Sequence, residues 1–323
     1  MSPRNADDSI IKIGVSSCLL GERVRFDSGH KHDRYITDVL GLFFKFVPVC
    51  PEVEVGMGVP RESVRLIGNP QHPKMVGGKT GIDWTERVIA FREKRMPQLA
   101  KNNLSGYLLK KDSPSCGMER VKIYGSSGQP TKAARGMWGG AVVDYFPLLP
   151  VEEEGRLNDP QIRENFIIRV FAYHRLQQLF RNKTFKRKDV VEFHTRHKLL
   201  LMAHSPKHYQ MLGKLVAAIA KTKTADFIDD YSSQFIAGLK VKTTIKKNVN
   251  VLHHIMGYLK EYLDKNEKAD ILSTIDDFHK GLVPLIVPIT LIKHYIKKHD
   301  ISYIKDQIYL NPHPKELMLR NHV

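Results

Sequence analysis

The chain has 323 residues, 42% of them hydrophobic and 26% charged, with 51 Lys and Arg against 34 Asp and Glu, a net charge of +17. That length exceeds one usual hydrophobic core and predicts two domains. No apolar run approaches the roughly 20 residues that cross a bilayer, and residues 1–9 are polar without a signal-peptide core, so a cytoplasmic protein with no membrane association is expected. The charge excess predicts a polyanionic partner, nucleic acid before an anionic lipid surface. Residues 1–150 carry 22 basic and 15 acidic side chains and the remainder 29 and 19, so the charge is not a detachable tail.

Taken in chain order, Ile11–Ser16 is a short apolar run with a central glycine and reads as a buried strand. Cys18 follows it, then a charged loop with Arg23, Arg25, Asp27, Ser28, Gly29 and His30. A short helix is expected over 35–42 and a second strand over 43–49, ending in Cys50-Pro51-Glu52. A Gly- and Pro-containing loop with Arg61 and Arg65 comes next, open to phosphate or to water, and then a small hairpin around 74–79. Asp83 and Glu86 have the spacing of a capping box opening a helix to about Leu99. A third strand, 106–110, runs into Ser113-Pro114-Ser115-Cys116-Gly117, whose serines and glycine expose hydroxyls and backbone N–H groups. In an open parallel sheet the carboxyl ends of the strands share one edge, so Cys18, Cys50 and Cys116 are expected to meet there with Glu52.

Residues 125–140 form a glycine-rich basic stretch in which Lys132 and Arg135 lie near Trp138, either an RNA-steering surface or a loop with an anchoring tryptophan. Residues 141–146, AVVDYF, read as a strand. From Asp159 strands give way to amphipathic helices, the first with Ile162, Phe166, Ile167, Val170, Phe171 and His174 on one side, suited to packing the domains together. Residues 189–218 read as one long helical stretch, and Ile245, Val249, Leu252, Met256, Leu259 and Leu263 recur at helical spacing. His194 and His197, and His204 and His208, have ligand-like spacing without a carboxylate signature and read as satisfied histidines. Lys240, Lys242, Lys246, Lys247, Lys293, Lys297 and Lys298 suit phosphate neutralisation. The expected fold is an α/β domain with a parallel-type sheet and flanking helices over 1–150, a helical linker over 151–188, and an all-α helical bundle over 189–323.

An odd number of widely spaced cysteines does not form a disulfide framework, and in a reducing compartment metal binding or catalysis is the better reading of grouped thiols. Structural zinc usually takes a close Cys-x-x-Cys pair, which is missing here. Four-iron clusters normally take four cysteines; with three, one iron stays open as a Lewis acid for a soft substrate atom. Three unconnected buried thiols remain the alternative.

Residues from Ile11 to about Asp144 resemble the thiouracil desulfurase (TudS) family through VSSCLLGERVRFDSGHK, VPVCPEVEVGMGVPRE and LLKKDSPSCGM, and residues from about Asp189 onward resemble the YbgA-type helical domain. The resemblance implies a [4Fe-4S] cluster held by Cys18, Cys50 and Cys116, with the fourth iron open to the sulfur of a thiolated pyrimidine. It implies Glu52 and Ser113 as the catalytic pair, with Ser17, Asp27 and Ser115 as substrate contacts. Members with the helical extension are implied to act on thiolated uridine in RNA, which agrees with the basic charge. The expected activity is a desulfidase converting 4-thiouridine in tRNA to uridine, with Arg25, Lys110, Lys111, Lys132 and Arg135 toward the tRNA and no protein partner. The reaction is hydrolytic, Glu52 serving as general base on water and Ser113 positioning the water or the ring. The alternatives are desulfuration of free 2- or 4-thiouracil, an RNA-binding iron–sulfur sensor, and a cluster-dependent dehydratase.

Overall fold

The computed structural model describes residues 10–125, 128–181 and 185–322, and the chain divides into two units, Met1–Asp159 and Pro160–Val323. The polar segment 1–9 and Ser126 and Ser127 of the glycine-rich stretch lie outside the described residues. The first unit runs β1 (Ile11–Ser16), β2 (Phe44–Val49), the single turn α1 (Pro51–Glu54), β3 (Val64–Asn69), β4 (His72–Gly77), α2 (Thr85–Ala100), β5 (Leu104–Leu109), β6 (Val121–Tyr124), β7 (Pro130–Ala134), α3 (Met137–Tyr145) and β8 (Val151–Glu153).

Two four-stranded sheets result. The first has the order β2-β1-β5-β8, every neighbouring pair parallel, with Ile13 opposite both Phe46 and Gly106. Ile11, Ile13 and Val15 are buried, and β5 is buried along its whole length, as a sheet covered on both faces requires. Gly14 is needed for closeness: a Cβ there would lie 2.3 Å from the Tyr107 ring. That ring and Trp138 are fully buried, and the Trp138 indole N–H donates to the Tyr107 hydroxyl at 3.1 Å. From β1 the chain passes outward to β2 and later returns to β5 on the opposite side. The order therefore reverses beside β1, the point at which an open sheet leaves a crevice at its carboxyl edge. The second sheet, β4-β3-β6-β7, is mixed, with β3 and β6 parallel and the other pairs antiparallel. Its core is Leu66, Met75, Val88, Val121 and Ile123.

Several expectations change here. Residues 141–145 lie in helix α3, not in a strand, and Phe146 follows its end; their β-branched valines are overruled by the tertiary setting of the helix start. Trp138 is core and packs against Phe91 in a tilted arrangement at 5.2 Å between ring centroids, which removes it as a surface platform for RNA and makes it the anchor of the basic stretch. The β3–β4 hairpin turns at Pro70-Gln71, so Lys74 lies within a strand, and the turn expected around 74–79 falls after Gly77, closed by the antiparallel bridge between Val76 and Asp83. Asp83 does accept the Thr85 N–H at 2.9 Å, but α2 begins after Trp84 without a reciprocal capping box. Residues 35–42 are helical but irregular, a wide turn followed by a tight one.

The second unit is helical: α4 (Pro160–Arg181), α5 (Arg187–His204), α6 (Pro206–Ala217), α7 (Thr224–Lys240), α8 (Ile245–Leu259), α9 (Lys265–His279), α10 (Ile286–Lys298) and the short α11 (Ser302–Lys305). Phe166, Val170, Leu200, Tyr231, Phe235, Leu252, Ile255, Ile275 and Ile292 fill its core. The stretch expected as one helix over 189–218 breaks at Ser205-Pro206, because proline cannot continue the ladder of α5 and instead opens α6 under a Ser205 cap. These histidines make bonds inside the unit: His194 meets the Tyr231 hydroxyl at 3.2 Å, His197 the Phe193 carbonyl at 2.7 Å, and His208 the Ser205 hydroxyl at 2.8 Å. No helix among the described residues is long and apolar enough to cross a membrane.

Glu267 ties α9 to α10. It accepts from the Asp264 N–H at 3.0 Å, the Lys298 ammonium at 2.6 Å and His299 at 3.3 Å. The Lys298 hydrogen bond and the Asp264 N–H lower its carboxyl from an ordinary 4.5 to about 2. A depressed carboxylate stabilises the fold above its unfolded pKa and loses that contribution as the pH falls through the window from about 4.5 to about 2. Glu267→Gln should lower the helical melting temperature at neutral pH and flatten its decline across that window, measured by circular dichroism. A variant as stable as the parent, with the same acid slope, would remove Glu267 from this role.

Candidate active site

The carboxyl edge of the first sheet opens into a cavity of about 320 Å³ whose wall includes Ser16, Ser17, Cys18, Cys50, Glu52, Arg61, Ser113 and Cys116. Cys18 is in the tight turn leaving β1, Cys50 immediately precedes α1 after β2, and Cys116 lies in the turn beyond β5. All three are free thiols. Burial pushes the Cys18 thiol up to about 11; Cys50 adds to the rise, while Lys110 and Arg25 oppose it. Burial also raises Cys50 and raises Cys116 far more, Cys18 and Cys50 both contributing to the latter. The mutual effect places the three sulfurs within each other's fields, and thiols raised in this way hold their protons at neutral pH. Among the described residues no three His, Cys, Asp or Glu side chains converge closely enough to hold a single metal ion. The thiols surround a space instead of a point.

The Cys116 turn is held by the start of α3. Met137 N–H donates to Pro114 O at 3.1 Å, Trp138 and Gly139 N–H to Ser115 O at 2.9 and 3.0 Å, and Gly136 N–H to Gly117 O at 2.8 Å. The N–H groups that a helix leaves unpaired at its first turn thus satisfy the carbonyls of the turn. Lys110 N–H donates to the Ser16 hydroxyl, Lys111 N–H to Glu154 and Met118 N–H to Glu153, at 3.0, 2.7 and 2.8 Å. The Ser16 hydroxyl also bonds Cys116 and opposes the rise of its thiol.

The two serines differ in placement. Ser113 Oγ accepts the N–H groups of Ser115 and Cys116 at 3.2 and 3.0 Å, which occupies its lone pairs and leaves its O–H to donate; Ser113 lines the cavity. Ser115 is buried, is not among the lining residues, and donates to Glu52 Oε1 at 2.7 Å. Glu52 Oε2 accepts from Arg61 Nε at 3.1 Å and from Nη2, which also donates to Val24 O at 2.9 Å, while Nη1 donates to Gly58 O at 2.8 Å. The loop arginine is thus a clamp on Glu52 with a side chain only 5% exposed.

Ser17, Arg25, Lys110 and Lys111 line the cavity as well, joined by Lys31, which the sequence did not single out. Lys110 pairs with Glu154 at 2.5 Å. Asp27 is not among the lining residues; the Gly29 N–H binds its carboxylate and lowers its pKa, with Arg25 at 3.5 Å. Lys132 lies exposed in β7, and Arg135 pairs with Asp144, both away from the cavity wall. Ser16 and Arg61 had only weak signals in the sequence: a small residue at a strand end and an arginine in a Gly-Pro loop.

Gly139 packs on the backbone of the turn, where a Cβ would lie 2.2 Å from Cys116 O and 2.6 Å from Gly117 O. Gly139→Ala must displace the turn or the helix, at an expected overpacking cost of about 1–3 kcal/mol. Cys116, 7% exposed, should then react faster with a thiol reagent in the unliganded protein. Unchanged reactivity and stability would show that the turn does not depend on this contact.

Comparison with known proteins adds the following. Residues 13–154 match the family model described as 2-thiouracil desulfurase, and residues 198–314 match that of a protein of unknown function, DUF1722. The chain is 29% identical over 166 residues to the uncharacterized protein YbgA of Escherichia coli (strain K12), covering 51% of this chain and 98% of that one. It is 32% identical over 108 residues to the uncharacterized protein YbbK of Bacillus subtilis (strain 168), covering 32% of this chain and 71% of that one. Among solved structures, the [4Fe-4S]-dependent thiouracil desulfidase TudS is 29% identical, with 46% of this chain and 94% of that chain covered and a TM-score of 0.38.

Proposed function

The chain belongs to the 2-thiouracil desulfurase family through residues 13–154 and carries a DUF1722 domain over residues 198–314, and from that membership we propose that it removes sulfur from thiolated uracil, with 4-thiouridine in tRNA as substrate. The observation that carries this reading is the cavity that gathers Cys18, Cys50, Cys116, Glu52 and Ser113 under a rim containing Arg25, Lys31, Lys110 and Lys111. Three thiols around a space, with no histidine in the wall, are a soft donor set that suits an iron–sulfur cluster better than a lone ion. Cys18, Cys50 and Cys116 would hold a [4Fe-4S] cluster, which when bound supplies a Lewis acid for a thiocarbonyl sulfur.

The chain's own groups do the rest. Glu52 accepts a proton from the water that attacks the ring carbon. Arg61, with two nitrogens on Oε2, and Ser115, on Oε1, restrict Glu52 to one orientation, while Oε1 keeps a further lone pair for the water. The free O–H of Ser113 donates to the water or to the ring. The water's oxygen replaces the sulfur, which departs as sulfide, so no electron is gained or lost. The rim cations and a net charge of +17 favour a polymeric RNA over a free base, because they reward neighbouring phosphates.

The test follows the near-ultraviolet thiocarbonyl absorbance of bacterial tRNA incubated without oxygen with the iron-loaded protein. The band should disappear, persist with Cys116→Ala, and decay far more slowly as salt rises from about 50 to about 200 mM. An unchanged tRNA band with consumption of free 4-thiouracil would overturn the RNA substrate and leave the reaction on the free base.

Glu52→Gln should keep the colour of the loaded protein and lower turnover by at least about 100-fold, the usual contribution of a general base. Full activity in that variant would dismiss Glu52 from the role.

A further inference from the structure

The second unit contains a cavity of its own, about 100 Å³, whose wall includes Glu164, His204, Lys242, Thr244, Asn248 and Arg320. Most of its polar groups are occupied. Arg320 donates to Glu164 at 3.2 Å and to Tyr309 O at 2.6 Å, so this pair contributes little net field. Asn248 donates to Thr244 O at 3.3 Å and accepts from the Tyr309 hydroxyl at 3.0 Å. Thr244 caps α8 by accepting the Lys247 N–H, which leaves the N–H groups of Ile245 and Lys246 at the positive end of the helix dipole.

Two groups remain without partners among the described residues. Lys242 is exposed and forms no ion pair. His204 is only 1% exposed. Its Nδ1 lies 2.7 Å from Val241 O, which assigns the proton to that nitrogen and makes Nε2 an acceptor. Nε2 is buried and has no hydrogen-bond partner. Burial, reinforced by Arg320, Lys247 and Arg169, pushes the imidazole down to about 4 and keeps it neutral. A buried, unpaired acceptor is costly, and His204 belongs to the wall of this cavity, where the one carboxylate, Glu164, is already paired with Arg320.

A matching ligand must bring negative charge to Lys242 and the start of α8, and a hydrogen to His204. A sulfate or an internal phosphodiester has the charge but no proton near neutral pH. A phosphate with a second pKa of about 6 has both. We propose that this cavity binds a singly protonated phosphate group, either inorganic phosphate or a terminal phosphate monoester. His204 Nε2 accepts the P–OH, and the remaining oxygens face Lys242 and the amino end of α8. The site needs nothing from the first unit, so its test does not depend on desulfuration.

The experiment titrates the full chain near pH 6.5 with inorganic phosphate, a nucleoside 5′-monophosphate and sulfate, following binding by calorimetry and phosphorus NMR line width. One equivalent of phosphate should bind, with sulfate at least about tenfold weaker. Lys242→Ala should weaken phosphate binding by a similar factor. His204→Asn should do so too, since an asparagine amide can keep the bond to Val241 while lacking Nε2. If that buried variant fails to fold, Lys242→Ala and the phosphate-to-sulfate ratio of the parent decide. Tighter binding of the monophosphate would identify a nucleotide terminus as the source, and tighter binding of inorganic phosphate the free ion; either supports the site. No binding up to about 10 mM phosphate, equal affinity for sulfate, or unchanged affinity in Lys242→Ala would overturn it.

Discussion

The site in the first unit depends on one backbone arrangement, the amino end of α3 set against the turn from Ser113 to Gly117. A strand that ends in a cysteine needs something to hold the following turn, and here four N–H groups at the start of a helix meet three carbonyls of that turn. The contact is possible only because Gly136 and Gly139 lack side chains, a Cβ at either coming within 2.5 Å of turn backbone. It satisfies polar groups on both partners that would otherwise be buried and unpaired. Trp138, placed between the two glycines, then reaches Tyr107 on β5 and joins the turn to the sheet. Cys116 is thereby positioned by main chain, which has far fewer alternatives than side-chain packing.

The other half of the site has a different logic. Cys18 and Cys50 leave adjacent parallel strands, and their separation is set by the register in which Ser16 stands opposite Val49. Glu52 follows within one helical turn of Cys50 and is turned toward Ser115 and Arg61. A carboxylate with a hydroxyl on one oxygen and a guanidinium on the other cannot rotate without breaking a charge-assisted bond. Sheet register, helix start and ion pair together place a carboxylate next to three thiols.

Much of this was legible in the chain. The three cysteine-bearing strand ends were readable because short apolar runs followed by turn residues are strong local signals, and parallel pairing brings such ends together. The conversion of Ala141–Tyr145 from an apparent strand into helix was not readable, because its cause is the distant Cys116 turn that accepts the helix's first N–H groups. The break at Pro206 carried a local signal that periodicity overrode. Nor could the roles of Ser113 and Ser115 be separated from their order alone. They differ by where each Oγ points, which depends on Glu52 some sixty residues earlier. Arg61 looked like a surface arginine because its partner is brought to it only by the fold.

The strand orders have a last consequence, for what the sheets refuse to do. An edge strand offers unpaired N–H and C=O groups to any passing chain, and long flat edges are where association begins. Here β2 and β4 each contain a proline, Pro48 and Pro73, and β7 begins with Pro130, while β8, the remaining edge, is only three residues long. A proline removes the donor that a visiting strand would need. Lys45, Lys74 and Lys132 add charge along the same three edges. All four margins of the two sheets are thus poor templates for strand addition, which keeps the parallel register that sets the cavity from being extended by a second chain.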